Sequence, residues 1–246
     1  MRILEKLKYF IINLDYLIAK SFLNKQSRFK DILIDNYNCL TKKISNIPFE
    51  PIQGVLNTEL ENFNKHELTT QRSDFQNSIS LGYVPLSIKS IVNKHQDAIQ
   101  KHLGEKFLYE GPTIYENFNV DKKFSKYDIF SNIWHMDSHD GHKMIKIFVL
   151  LHDTTQEDGP LIYLSPSNTK KNWDKLRDRW TYDKKFLDQK YDEEVSFVGK
   201  KGSYLMLNTS ISSHRASIPK TSRKILVFTL YPSWRKKENR STYNYN

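Results

Sequence analysis

From about residue 106 onward the sequence breaks into short runs rich in β-branched and aromatic residues, each closed by a turn signal, with no regular helical periodicity between them. The runs are Phe107 to Tyr115, Tyr127 to Asp137, Met144 to Asp153, Leu161 to Leu164, Val195 to Val198, Ser203 to Asn208, Ile211 to His214 and Lys224 to Tyr231. Strands this short, joined without crossover helices, bury an apolar face by lying antiparallel in two facing sheets or a closed barrel. The expected fold is mainly β with flanking helices, an α+β chain whose core is a sandwich or jelly roll.

The amino-terminal part reads differently. Leu4, Leu7, Ile11, Leu14 and Ile18 recur at spacings of three and four, the stripe of an amphipathic helix. Phe29, Leu33, Tyr37 and Leu40 suggest a second helix that ends before Pro48 and Pro51. Ile88, Ile91, Val92, Ile99 and Leu103 predict a third, with Gly104 placed to stop it. The chain therefore divides into a helical N-terminal extension over 1–105, a β core over 106–234 and a polar tail over 235–246. A charged insertion at about 169–192 interrupts the core, with Trp173, Leu176 and Trp180 at helical spacing. It reads either as a lid over a binding site or as a solvated surface helix.

Composition narrows the function classes. Cys39 is the single cysteine, which excludes an intrachain disulfide and cysteine-based zinc sites. No apolar run reaches the roughly 20 residues that span a bilayer, and a signal peptide pattern is missing, so a cytoplasmic location is expected. The formal net charge of +10 comes with Lys, Asn and Ile spread through the whole chain. Without a zinc finger, phosphate loop or RNA-binding signature beside it, that charge does not point to nucleic acid. The first helix, flanked by Arg2, Lys6, Lys8 and Lys20, is expected to pack on the body of the protein or on a second copy as a homodimer; peripheral contact with an anionic membrane is its other use.

The chemistry centres on Trp134-His135-Met136-Asp137. In an extended segment residues i and i+2 share a face, so the imidazole of His135 and the carboxylate of Asp137 can grip one cation. A third ligand from a distant strand would complete a 2-His-1-carboxylate facial triad, the set that leaves positions open on non-haem Fe(II). His214 is the candidate, because a strand and turn precede it and Pro219 follows it. His66, His95 and His102 fall in the helical half, His139 and His142 in a turn close to His135, and His152 at a strand end. Arg223 opens the strand after the Pro219 turn, where a guanidinium suits a bidentate salt bridge to a carboxylate. Lys146 stands among apolar neighbours. Facing inward it needs an anion, and facing outward it is an ordinary solvated strand residue.

In order and spacing these motifs resemble the phytanoyl-CoA dioxygenase-like branch of the Fe(II)/2-oxoglutarate oxygenases. His135-Met136-Asp137 is similar to its first metal motif, and Asp158-Gly159-Pro160-Leu161 to its Gly-Pro-Leu turn. The segment from Gly199 to Pro219 is similar to the strand pair carrying the distal histidine, with Arg223 as the arginine for the far carboxylate of 2-oxoglutarate. The resemblance covers roughly residues 106–234. It implies a double-stranded β-helix (cupin-like) core, Fe(II) held by His135, Asp137 and His214, and 2-oxoglutarate as cosubstrate. The implied reaction uses O2 to hydroxylate a C–H bond of a small-molecule, sugar or lipid-linked substrate, releasing succinate and CO2. Two departures stand out: Ala216 replaces the Ser or Thr often found two residues after the distal histidine, and Ser165-Pro166-Ser167-Asn168 replaces Pro-Gly-Ser-His. An alanine cannot make the hydroxyl's hydrogen bond to the cosubstrate, a role that Lys146 or Asn132 would fill instead.

Overall fold

Alternation of apolar and polar residues organises the chain around one large antiparallel sheet. The computed structural model describes residues 48–57, 60, 63, 70–73, 75–121, 123, 129, 131–137, 143–172, 191–232 and 243–244. The strands are β1 (Ile52–Val55), β2 (Thr70–Ser73), β3 (Gln76–Ser80), β4 (Phe107–Phe118), β5 (Ile145–Leu150), β6 (Leu161–Tyr163), β7 (Val195–Phe197), β8 (Ser203–Leu207), β9 (His214–Ala216), β10 (Ser222–Pro232) and β11 (Tyr243–Asn244). The main sheet has the order β1-β8-β5-β10-β4-β3-β2, with β11 added beside β4, and a smaller sheet runs β7-β6-β9. All pairings are antiparallel. The result is a mostly β, jelly-roll-like arrangement.

Period-two alternation gives the main sheet two distinct faces. On one face Ile145, Ile147 and Val149 of β5, Tyr204 and Met206 of β8, and Leu226, Phe228 and Leu230 of β10 form a core. Helices α1 (Leu86–Lys94) and α2 (Gln96–Leu103) cover it with Ile88, Ile91, Val92, Ile99 and Leu103. Each such side chain, fully buried, contributes about 1.5–3 kcal/mol. On the other face Phe148 and Leu150 meet Leu205, Leu207 and Ile225, together with Leu161, Tyr163 and Phe197 of the small sheet.

The single helix expected from Ile88 to Leu103 is bent into two at His95, whose backbone leaves helical geometry at φ −114° and ψ 20°. The imidazole Nε2 lies 2.8 Å from the Tyr204 hydroxyl, tying the bend to the sheet. Gly104 ends α2 at φ 100°, as the sequence suggested. No described helix is long and apolar enough to cross a membrane.

Several expectations are corrected. Strands β1, β2 and β3 lie in the stretch read as a helical extension and join the main sheet, while Tyr243–Asn244 of the expected tail pairs with β4. These strands are only four or five residues long, and β2 and β3 are almost wholly polar, so they show too little hydrophobic alternation to announce themselves. The helices expected at residues 4–18 and 29–40, and the Trp173, Leu176 and Trp180 pattern, lie outside the described residues. The expected strand ending at Asp137 is replaced, in its described part, by irregular backbone with one bridge at His135. Ser131 there takes φ 64°, and the Asn132 amide oxygen accepts the Ile129 N–H at 2.8 Å, a local bond that competes with a strand ladder. The strand placed at Ile211 to His214 instead begins at His214, because the backbone N–H groups of Ile211 and Ser212 turn back onto the Asn208 carbonyl.

Candidate metal centre

His135 and His214 are joined by a reciprocal pair of backbone hydrogen bonds, His135 N–H to His214 O at 3.0 Å and His214 N–H to His135 O at 2.9 Å. That narrow pairing sets the two imidazoles side by side, with centroids 4.2 Å apart. Asp137 is fixed two residues later by its own N–H to the Thr209 carbonyl at 2.9 Å and by Ser210 Oγ donating to its carbonyl at 3.3 Å. Spacing of i and i+2 therefore works as the sequence suggested, although the segment is not a regular strand.

Both rings carry the same tautomeric device. Nδ1 of His135 lies 2.8 Å from the Ile133 carbonyl, and Nδ1 of His214 lies 3.1 Å from the Ser212 carbonyl. A carbonyl only accepts, so in each neutral ring Nδ1 holds the proton and Nε2 is left with a lone pair, the form in which histidine binds metals. The donor atoms of His135, Asp137 and His214 all lie within 4.8 Å of one another. Ligands around one ion at 2.0–2.2 Å are at most roughly 4.4 Å apart, so small side-chain adjustments close the set. The donor set of two neutral imidazoles and one carboxylate fits a borderline divalent cation with open positions.

Electrostatics reinforce this picture. Burial works against ionisation of Asp137, but Lys146 and then His214 and His135 outweigh it and hold the carboxyl well below the usual range. Lys146 Nζ sits 2.8 Å from Asp137 Oδ2, with its side chain only 22% exposed. Lys146 thus faces inward, with Phe148 and Leu150, and the solvent-facing alternative is ruled out. Burial first, and the neighbouring His135 second, push His214 down to about 3. His102, buried on α2 with Nε2 3.0 Å from the Asn208 amide nitrogen, is pushed down to about 3 by burial and then by Lys143.

These shifts have a consequence for stability. A histidine whose folded pKa lies below its unfolded value of about 6.5 penalises the folded state once pH falls beneath 6.5. For His102 and His214 the loss is about 1.4 kcal/mol per pH unit each, running from 6.5 down towards about 3. Asp137, depressed in the fold, adds a further loss as pH drops below its unfolded value. The metal-free protein is expected to melt at a constant temperature above pH 7 and at steadily lower temperatures from pH 6.5 to 4.5; a flat profile there would refute the neutral, buried state of both rings.

The triad opens into a cavity of about 640 Å³ between the two sheets. Arg223 lies on its wall, 3% exposed, and burial pushes its guanidinium down to about 10, so it stays charged. Nη1 donates to the Gly159 carbonyl, while Nε has no hydrogen-bond partner. Among the described residues no carboxylate pairs with it. Gly159 shapes this end of the site: at φ 68° a side chain there would strike Pro219 N at 2.5 Å and Ser217 O at 2.6 Å. Ala216 also lines the cavity.

Of the remaining sequence candidates, Asn132 accepts the Ile129 N–H through its amide oxygen at 2.8 Å and is not among the cavity-lining residues. His152 closes a turn, with Nε2 accepting the Lys224 N–H at 3.0 Å. His66, His139 and His142 lie outside the described residues. Sequence reading missed the buried polar loop Asn208 to Ser213, which clamps the backbone of the triad. Its signal was a dense run of Ser, Thr and Asn between two apolar strands.

No family model matches the chain, and no curated protein matches it. Similar solved structures include the non-heme monooxygenase ThoJ in complex with nickel, at 14% identity and TM-score 0.35, covering 59% of this chain and 53% of that one. HygX from Streptomyces hygroscopicus, with nickel and 2-oxoglutarate bound, is 11% identical at TM-score 0.40, covering 69% and 75%. The epimerase SnoN, in complex with Fe3+, alpha ketoglutarate and nogalamycin RO, is 13% identical at TM-score 0.40, covering 65% and 64%. The chain spans about half the length of ThoJ.

Proposed function

We propose that this chain is an Fe(II)- and 2-oxoglutarate-dependent dioxygenase of the phytanoyl-CoA dioxygenase-like kind, built on a double-stranded β-helix, that hydroxylates a C–H bond of a small-molecule substrate. One observation carries the reading: a convergent two-histidine, one-carboxylate donor set shares a cavity with a buried guanidinium that no protein carboxylate neutralises among the described residues. A buried cation of that kind costs several kcal/mol unless an anion meets it. A dicarboxylic cosubstrate that reaches from the metal to Arg223 supplies that anion. From His214 through Ala216 and Leu161 to Gly159 is four residue steps, about 13 Å at 3.3 Å each, and the long arginine side chain covers part of that distance.

His135 and His214 would hold the iron through Nε2 and Asp137 through its carboxylate, with Lys146 fixing Asp137 Oδ2. Bound iron would supply the activation of O2. Arg223 orients the cosubstrate, and Phe148, Leu161, Ile225 and Val227 keep that wall of the cavity dry. A jelly-roll metalloenzyme without 2-oxoglutarate would leave Arg223 unexplained, and a non-catalytic binding protein would leave the triad unexplained.

Anaerobic titration of the purified protein with Fe(II) and 2-oxoglutarate tests the reading. A weak visible charge-transfer band should appear only with both present, and succinate should form once O2 is admitted. If neither band nor succinate appears, the reading is wrong.

A further inference from the structure

Strand β4 brings a second polar group to the Arg223 end of the cavity. At Gly111, φ 88°, its pairing with β10 slips: Val227 faces Thr113 and Thr229 faces Glu110, so β4 has one residue more than its partner. Glu110 lines the cavity on one side of this bulge. On the other side Thr113, Tyr115 and Asn117 line it, while Ile114 points into the helix-side core. Asn117 lies directly opposite Arg223 on β10 and Gln76 on β3, and all three line the cavity. Residues opposed in this way have Cβ atoms about 4.5–5.5 Å apart. Gln76, Asn117 and Arg223 therefore form one row across three strands, and β3, from the stretch read as a helical extension, supplies one member.

The hydrogen bonds within this row leave donors facing the cavity. Gln76 Nε2 donates to Asn117 Oδ1 at 2.8 Å, which fixes the amide and leaves Nδ2 without a protein partner among the described residues. Asn117 is only 2% exposed, so its N–H groups have little access to bulk water. Arg223 Nε, in the next residue of the row, is buried and unpartnered as well. Buried donors left unmet are costly, and two neighbouring ones are met together by an acceptor with two oxygens, a carboxylate. Ala216 lines the same cavity and packs with Val120, three residues beyond Asn117, but its methyl offers no hydrogen bond. Lys146 is engaged with Asp137 at the metal end.

We infer that Asn117, oriented by Gln76, is the second contact of the cosubstrate's far carboxylate, its Nδ2 donating to one oxygen while Arg223 takes the other. This rests on the oxygenase reading, which places that carboxylate at Arg223. The hydrogen bond that a hydroxyl at position 216 would give from the small sheet comes instead from the main sheet.

Calorimetric titration of the full chain, loaded with Fe(II) and kept free of O2, would compare 2-oxoglutarate with 2-oxopentanoate. The two share the keto acid end and the chain, and a methyl replaces the far carboxylate in the second. Asn117→Leu should weaken 2-oxoglutarate roughly tenfold or more, the size of a hydrogen bond to a charged group, and leave 2-oxopentanoate unchanged. Gln76→Leu should show a smaller loss of the same kind. Asn117→Asp keeps the size of the side chain and sets a carboxylate beside Arg223. It should weaken 2-oxoglutarate by at least about 30-fold and raise the melting temperature of the ligand-free protein. Unchanged 2-oxoglutarate affinity in either Asn117 variant, or an equal loss for both 2-oxo acids, overturns the inference; if Asn117→Leu does not fold, Asn117→Asp decides it. The charge-transfer band of the wild type is recorded first: its absence overturns the oxygenase reading and this inference together, whereas a normal band with unaffected variants overturns this inference alone.

Discussion

Replacing Asp137 with alanine is expected to weaken Fe(II) binding by at least about 100-fold, beyond the 10- to 100-fold typical of losing a partner behind the ligands. Asp137 is the anionic member of the triad, and its carboxylate is held ionised by Lys146 and the two histidines. Removing it leaves two neutral imidazoles beside the Lys146 ammonium, which then repels the incoming cation instead of fixing its ligand. Asp137→Asn keeps the shape and loses the charge, so it separates the two contributions. Calorimetric titration of wild type and both variants under anaerobic conditions checks the expectation, and near-native affinity in Asp137→Ala would exclude this triad. His135→Ala should go further and abolish binding, because it takes away a ligand together with the ring packed at 4.2 Å against His214.

Arg223→Ala should separate cosubstrate binding from stability, with the two moving in opposite senses. A charge pair in such a site is worth roughly 2–5 kcal/mol when one partner is truncated, so the 2-oxoglutarate requirement should rise by at least about 30-fold. Stability of the ligand-free protein should hold or rise, since the guanidinium is buried with one carbonyl partner and an unpartnered Nε. A purely structural arginine would behave the other way, with a large drop in melting temperature and an unchanged cosubstrate requirement. Thermal melts beside 2-oxoglutarate saturation curves distinguish them.

How much of this was legible depends on whether a residue's role is local. His135 and Asp137 are two apart and share a face under almost any extended geometry, so the sequence placed them together even though the expected strand is irregular backbone. His214 and Arg223 could be nominated through their strand and turn context, and both line the cavity. Asn132 shows a local use that the sequence did not suggest, its amide oxygen accepting the Ile129 N–H. The short strands β1, β2 and β3 were invisible because edge and near-edge strands need not alternate cleanly. Glu110 was unreadable for a sharper reason: period-two counting places it on the face of Ile114, and only the bulge at Gly111 reverses it.

The sequence by itself pointed to a mainly β fold and to His135, Asp137 and His214 as candidate metal donors, since short alternating runs favour antiparallel sheets and a His-x-Asp pair shares a face in extended backbone. The tertiary structure decided which way Lys146 points, which ring nitrogen of each histidine faces a carbonyl and which is left for a metal, and that Glu110 lines the cavity. Those depend on strand register, on one extra residue in β4 and on carbonyls brought close by folding, none of which any local pattern encodes.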